Sequence, residues 1–456
     1  MLILQGLGLM VTVTFISYVV AIVIPYLRHR PLSPGVAESF DWHVLIPCRD
    51  EASVIGTTVE RLRAHFPFAS VWVIDDGSDD ATGQIARDAS INDDRVHLVE
   101  RKRPQARTGK GAALNAGYRA LRAYLPPEAD HSRTIVTVVD ADGSLSLDAF
   151  DRCAGEQGFA VAGVGAVQVG VHMVNRDDPR PRADRGWVGN YFARLLVRMQ
   201  DLEFRATIAA MQFLRVGCKS VGLGGNGQFT RLSMLDDIAE REGTPWHGAL
   251  LEDYELGVHA LLAGWQIRYV HDAYVEQEGL SSLRRLIVQR TRWSQGNMQC
   301  VRYLPRILGS PKMTGRGALE AGYFLVLPFV QVLGALIWPA LFGYMVFQAV
   351  SDPSGVTGWI EQYWLLSLFT FTLGVLPFVL WGPIYRRKCE PDSGLLRSIG
   401  WGFTYWLYVY YMYACNLWGF YRLVTGNSGW VKTRRNSELR HAHAIRPHAH
   451  AIRAKA

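Results

Sequence analysis

Hydrophobic and polar positions divide this chain into an interrupted middle and four unbroken apolar runs. Short apolar segments at residues 42–47, 71–74, 96–99 and 135–139 are bounded by polar turns and read as strands. Between them, residues 53–66 and 111–124 carry apolar positions at helical spacing. Strands alternating with helices of this length predict a mainly parallel sheet covered on both faces. In such a sheet ligands bind at the carboxyl ends of the strands. The acidic turns after Ile74 and Val139 therefore fall where a ligand is expected.

Four stretches contain no Asp, Glu, Lys or Arg: residues 1–27, 321–350, 362–385 and 398–421. Each exceeds the ~20 residues that cross ~30 Å of hydrocarbon, so all four are expected in a membrane. The first has no basic start and no small-residue cleavage site, and predicts a retained anchor instead of a signal peptide. Arg28, His29 and Arg30 follow it, which places the next segment in the cytosol by the positive-inside rule. Residues 191–216 and 283–304 are amphipathic and suit helices lying flat at the bilayer interface. Counting spans onward puts Arg386, Arg387, Lys388 and Arg397 inside, as the rule expects, but the basic tail from Lys432 outside. Either that tail is external, or residues 398–421, rich in Tyr and Trp, lie partly at the interface. The expected organisation is an anchor at 1–27, a cytosolic domain at 40–280, interface helices at 281–317, a membrane region at 321–424 and a basic disordered tail at 431–456.

Composition agrees with this division: of 456 residues, 49% are hydrophobic and only 20% charged. The net charge of +7 gathers at residues 101–107, 284–292 and the tail, which reads as a basic face beside anionic lipid rather than a nucleic-acid surface. The six cysteines are scattered without close pairs, so neither a zinc site nor a disulfide framework is expected.

Three segments carry candidate chemistry. Asp140-Ala141-Asp142 sets two carboxylates just beyond a buried strand, where hard oxygen ligands suit Mg²⁺ or Mn²⁺ bridging a diphosphate. Alone, Asp-x-Asp equally suits a solvated turn. Glu252-Asp253 opens a second segment; acids here can cap a helix, or can supply a general base, Asp253, beside an attacking hydroxyl with Glu252 in support. Gln289-Arg290-Thr291-Arg292-Trp293 offers a guanidinium for a phosphate and a flat ring for a sugar, or a pair that snorkels at a membrane.

Taken in order, the Asp75-Asp76-Gly77-Ser78 turn, Lys110 to Asn115 with Gly117, Asp140-x-Asp142, Glu252-Asp253 and Gln289-x-x-Arg292-Trp293 resemble the membrane-bound branch of inverting glycosyltransferase family two. That branch includes cellulose, hyaluronan and chitin-oligosaccharide synthases, and the resemblance runs from about residue 42 to 293. It implies an α/β GT-A domain inserted between transmembrane helices, and a UDP-sugar donor. By the same resemblance, one of Asp75 and Asp76 contacts the uracil and Lys110 lies near the donor. Asp142 holds the metal, with Asp140 at the nucleotide, sugar or metal. Asp253 is the base, and Gln289, Arg292 and Trp293 line the diphosphate and acceptor sites. The segment Gly225-Asn226-Gly227-Gln228-Phe229 departs from the Cys-Gly-Ser element of cellulose synthases. It looks more like enzymes that glucosylate diacylglycerol, and Gly227 and Gln228 are expected at the acceptor.

The expectation is a multi-pass cell-membrane enzyme with a cytosolic catalytic domain. It would move a hexose from a UDP-sugar to a polysaccharide or a membrane lipid, with no nucleic-acid partner. The alternative is a nucleotide-binding scaffold or transporter. The absence of charged residues in the spans and of inverted repeats argues against a transporter, and the intact candidate base against a silent scaffold.

Overall fold

The computed structural model describes residues 2–182 and 184–427; the tail at 431–456 lies outside them. A helix α1 (Leu2–Arg28) precedes the domain. The domain then runs β1 (Asp41–Cys48), α2 (Ile55–His65), β2 (Ser70–Asp75), α3 (Thr82–Asn92), β3 (Val96–Glu100), α4 (Lys110–Tyr124) and β4 (Thr134–Val138). After these come β5 (Ser144–Leu145), α5 (Ala149–Ala154) and β6 (Val164–Met173). An amphipathic helix α6 (Trp187–Leu202) continues through a π-helical turn at Glu203–Ile208 into α7 (Ala209–Cys218). The domain closes with β7 (Gln228–Arg231), α8 (Leu232–Glu242), α9 (Glu252–Ala263) and β8 (Gln266–Gln277).

The eight strands form one sheet in the order β3-β2-β1-β4-β7-β6-β8-β5. Its first half is parallel, as expected, with Cys48 level with Asp75 so that the carboxyl ends of β1 and β2 lie together. Its second half corrects the expectation: β7 runs antiparallel between β4 and β6, and β5 antiparallel to β8, so the sheet is mixed. Strand alternation sorts the core. Trp42, Val44 and Ile46 join Val71, Val73 and Ile135 on one face, while Leu45, Trp72, Ile74 and Val136 line the other. Helix α4 comes unusually close to that second face at Gly117, where a Cβ would stand 2.5 Å from Ile74 Cδ1.

Beyond the domain lie α10 (Leu283–Cys300), α11 (Leu304–Leu308), α12 (Gly315–Ser351), α13 (Pro353–Val379), α14 (Trp381–Cys389), α15 (Leu395–Tyr408) and α16 (Tyr411–Val424). Single helices occupy the places of the first two expected spans, and the third is shared by α13 and α14, which meet at Leu380. Among the described residues, however, one alone is long and apolar enough to cross a membrane: the 37-residue α12; residues 13–28 form a shorter apolar helix. The fourth expected span is divided, α15 and α16 meeting at Val409-Tyr410 through tighter bonds such as Met412 N–H to Val409 O at 3.2 Å. These two helices bury one continuous stripe, Trp401, Tyr405, Tyr408, Tyr411, Cys415 and Asn416. That stripe is held by polar groups. The Tyr408 and Tyr411 hydroxyls donate to Glu203 at 2.9 and 3.0 Å. Ser294 Oγ donates to Asn416 Oδ1 at 2.6 Å.

Candidate active site

The parallel strands bring the motif turns together at one edge of the sheet. Asp75 ends β2, and its Oδ1 accepts from the Ser78 N–H at 3.0 Å and Ser78 Oγ at 2.5 Å, closing the turn over Gly77 at φ +70°. Asp76 is the member of the pair that lines the cavity. Its carboxylate accepts from the Arg107 N–H at 2.9 Å and from the Arg101 guanidinium. Burial pushes its pKa up against the pull of those arginines. Of the basic stretch 101–107, Arg101 and Arg107 are turned inward, whereas Lys102 and Arg103 stay exposed: Arg107 also bonds Gly77 O at 2.7 Å and pairs with Asp79 at 2.6 Å.

Lys110 starts α4 and ties three segments. Its ammonium donates to Asp140 Oδ1 and to the Gly225 carbonyl, each at 2.6 Å. Gly111 lets this helix end approach α9, since a Cβ there would meet the His247 carbonyl at 2.8 Å and Glu252 Cβ at 3.3 Å. Asp140 and Asp142 project from the turn after β4, and the Glu278 N–H reaches Asp142 Oδ2 at 3.4 Å. Among the described residues no three His, Cys, Asp or Glu side chains gather as a metal cage. Two carboxylates opening into a cavity fit an ion that takes its remaining oxygens from a diphosphate and water, as Mg²⁺ commonly does.

Glu252 and Asp253 sit in the first turn of α9, both buried and facing the same cavity. Burial pushes the Asp253 pKa up to about 7; the like charge of Glu252 adds to the rise and Lys110 opposes it. Glu252 is raised by burial too, against Lys110 and Arg292. Gly225 threads its backbone between these groups: a Cβ there would lie 3.1 Å from both Asp253 Oδ2 and Lys110 Nζ. Helix α10 completes the wall with Gln289, Arg292 and Trp293. It seats against α9 at Gly296, whose Cβ would fall 2.5 Å from Leu251 N. The Arg292 guanidinium is buried within the field of Glu252, Asp140 and Asp253.

Of the residues expected from sequence, Asp76, Lys110, Asp140, Asp142, Glu252, Asp253, Gln289, Arg292 and Trp293 line one cavity of about 1830 Å³. Gly227 and Gln228 do not. Gly227 turns at φ +69° against Val169 and Val275, and Gln228 is fully buried in β7. Gly225 and Asn226 take the cavity positions expected for them. Two supporting residues escaped the sequence reading. Gln168 accepts from the Gly224 N–H at 2.7 Å and donates to Asn226 O at 3.0 Å, fixing that loop. Its signal is one glutamine inside the apolar run of β6. Glu203, in the π-helical turn, accepts from Arg290 at 2.7 Å, and the Arg290 guanidinium lies 4.2 Å from the centre of the Trp293 ring. No local pattern connects residues so far apart in the chain.

The family model for glycosyltransferase-like family 2 matches residues 41–296, more than half of the chain. The chain belongs to that family. Among curated relatives it is 25% identical over 341 residues to the probable glycosyltransferase YdaM of Bacillus subtilis, covering 73% of this chain and 72% of that one. It is 27% identical over 375 residues to a β-monoglucosyldiacylglycerol synthase of Synechocystis, covering 80% and 67%. The synthase of the same name from Trichormus variabilis matches at 27% over 57% of this chain, which spans about half (49%) of that protein. The fold matches a mannosyltransferase of Pyrobaculum calidifontis, solved with GDP-mannose and Mn²⁺, at TM-score 0.54 and 15% identity, covering 93% of this chain and 98% of that one. As a family 2 member with a GT-A-like α/β fold, this protein is a glycosyltransferase acting on sugar nucleotides.

Proposed function

We propose that this protein transfers a sugar from a UDP-sugar, with inversion, to the hydroxyl of a membrane lipid of the diacylglycerol type at the cytosolic face. One observation carries the acceptor class. The cavity that holds the paired carboxylates runs without a break to an apolar wall built from α1, α12 and α13, including Phe15, Leu327, Val330 and Phe378. A hydroxyl attached to acyl chains suits such a passage, whereas a hydrophilic glycan would meet an apolar wall there. The names of the Synechocystis and Trichormus relatives point the same way.

In this reading Asp76 holds the nucleoside end, while Lys110, Gln289 and Arg292 receive the diphosphate. Asp142 with Asp140 would hold Mg²⁺ or Mn²⁺, which when bound supplies neutralising charge at the departing diphosphate. Asp253 takes the proton of the acceptor hydroxyl. The hydroxyl oxygen forms its bond to the anomeric carbon from the face opposite the diphosphate. The bond from that carbon to the phosphate oxygen breaks, and UDP leaves with the electron pair. A hydroxyl needs a base for this, and Asp253 titrates near neutrality. Glu252 and Trp293 shape the base and the acceptor site. The test incubates purified protein in detergent with radiolabelled UDP-glucose and diacylglycerol, followed by mass spectrometry of the lipid extract. Labelled glycolipid is expected; label found only in water-soluble glycan would refute the lipid reading in favour of polysaccharide extension.

A further inference from the structure

One buried arginine in the acceptor half of the cavity is left incomplete. Arg215, on α7, faces the same cavity as Tyr18, Gln212, Tyr254 and Phe324, and is only 6% exposed. Its Nε–H donates to Glu320 Oε1 at 2.7 Å, and Ser220 Oγ donates to Glu320 Oε2 at 2.7 Å. Both oxygens of the glutamate are thus used, and the ion pair is neutral as a unit. The guanidinium is not saturated: its Nη2 is buried with no partner, and neither terminal nitrogen bonds any group among the described residues. Its carbon lies 4.4 Å from the centre of the Phe324 ring. Buried donors of this kind are rare and normally find an acceptor.

Position and charge define what that acceptor can be. Glu320 lies in the second turn of α12, just before the apolar length of that helix, so the pair stands where the domain meets that helix. It also stands beside the residue that follows the base. A Cβ placed on Gly222 would touch the Tyr254 ring at 3.4 Å and Arg215 Nη1 at 3.5 Å, and Tyr254 follows Asp253 directly. A neutral ion pair with spare N–H groups suits an uncharged oxygen acceptor and gives no net attraction to a phosphate.

We propose that Arg215 is an acceptor-binding residue that donates to an ester carbonyl of an acylglycerol, setting the free hydroxyl toward Asp253. This rests on the lipid-hydroxyl reading above and narrows it to lipids with an ester beside the hydroxyl. The test uses full-length protein in detergent micelles with radiolabelled UDP-glucose, comparing dioleoylglycerol with its ether-linked counterpart, which lacks the carbonyls. The acceptor KM should be about tenfold lower for the ester lipid, the factor one hydrogen bond from a charged donor commonly supplies. R215K keeps a cation beside Glu320 but loses the forked donors; it should use both lipids alike, at the KM of the ether lipid, with the donor KM unchanged. Equal KM values in the unmodified protein, or a preserved ester preference in R215K, would overturn the proposal. If R215K does not fold, the ester-to-ether ratio of the unmodified protein decides alone. Sugar transfer to neither lipid defeats the proposed function itself, and transfer to a polyprenyl phosphate in their place defeats both.

Discussion

The sharpest consequence of the site concerns how its rate depends on pH. Asp253 must be ionised to accept a proton, and its buried position beside Glu252 holds its pKa near 7. kcat/KM should therefore rise with pH along a limb with midpoint near 7, falling about tenfold per unit below it. The neighbours set that midpoint, and their signs differ. Glu252 raises it as a like charge, so Glu252→Gln should move the limb to lower pH by on the order of one unit. Lys110 lowers it, so Lys110→Met should move the limb upward. Asp253→Asn should lose ~10²- to 10⁴-fold in rate while retaining UDP, as expected of a positioned base. The assay is initial UDP release across pH 5.5 to 9 (about that range suffices to define one ionisation), with donor affinity followed by calorimetry. A limb that stays in place in Glu252→Gln, or moves upward, would refute the assignment of Asp253 as the base tuned by its neighbour.

Gly225→Val places methyl groups against Asp253 and Lys110, already 3.1 Å from a Cβ, and should cut turnover by ~10²-fold or more with an unchanged circular dichroism spectrum; normal turnover would show that the loop yields freely. Asp142→Asn should lower turnover and raise the Mg²⁺ or Mn²⁺ concentration needed for half activity, and full activity in chelator would remove the metal from the reading altogether. Gly117→Leu overfills the contact with Ile74 and should lower stability by roughly 1–3 kcal/mol, read as a drop in melting temperature.

The half of the domain that was legible in the sequence is the half built from parallel strands. β1, β2 and β4 are buried on both faces, so they appear as unbroken apolar runs whose ends mark the acidic turns. β7 was not legible because its buried positions are mostly polar, and β8 because charged and polar residues interrupt its apolar ones. In β7, Gln228, Thr230 and Arg231 all lie in the interior; Thr230 donates to Val136 O at 3.0 Å and Arg231 to Val164 O at 3.0 Å. β8 carries His271 and Asp272 in mid-strand, with Asp272 paired to His29 just beyond α1 at 3.1 Å. The site residues were readable where spacing is local, as in Asp140 and Asp142 or Glu252 and Asp253. Arg215, Gln168 and Glu203 act through partners distant in sequence, and only the fold supplies those partners.

The packing of α10 bears on how the molecule can be divided. This helix carries Arg292 and Trp293 on one side, and on the other buries Ser294 and Gln295 beneath α16, where a Cβ on Gly419 would stand 3.0 Å from Ser294 Oγ. Gln295 also receives Arg422 Nε at 2.9 Å and donates to Asn427 O at 2.8 Å. The family match ends at residue 296, yet the packing that holds α10 extends to residue 427. A chain cut at the family boundary would lose the backing of the helix that carries Arg292 and Trp293.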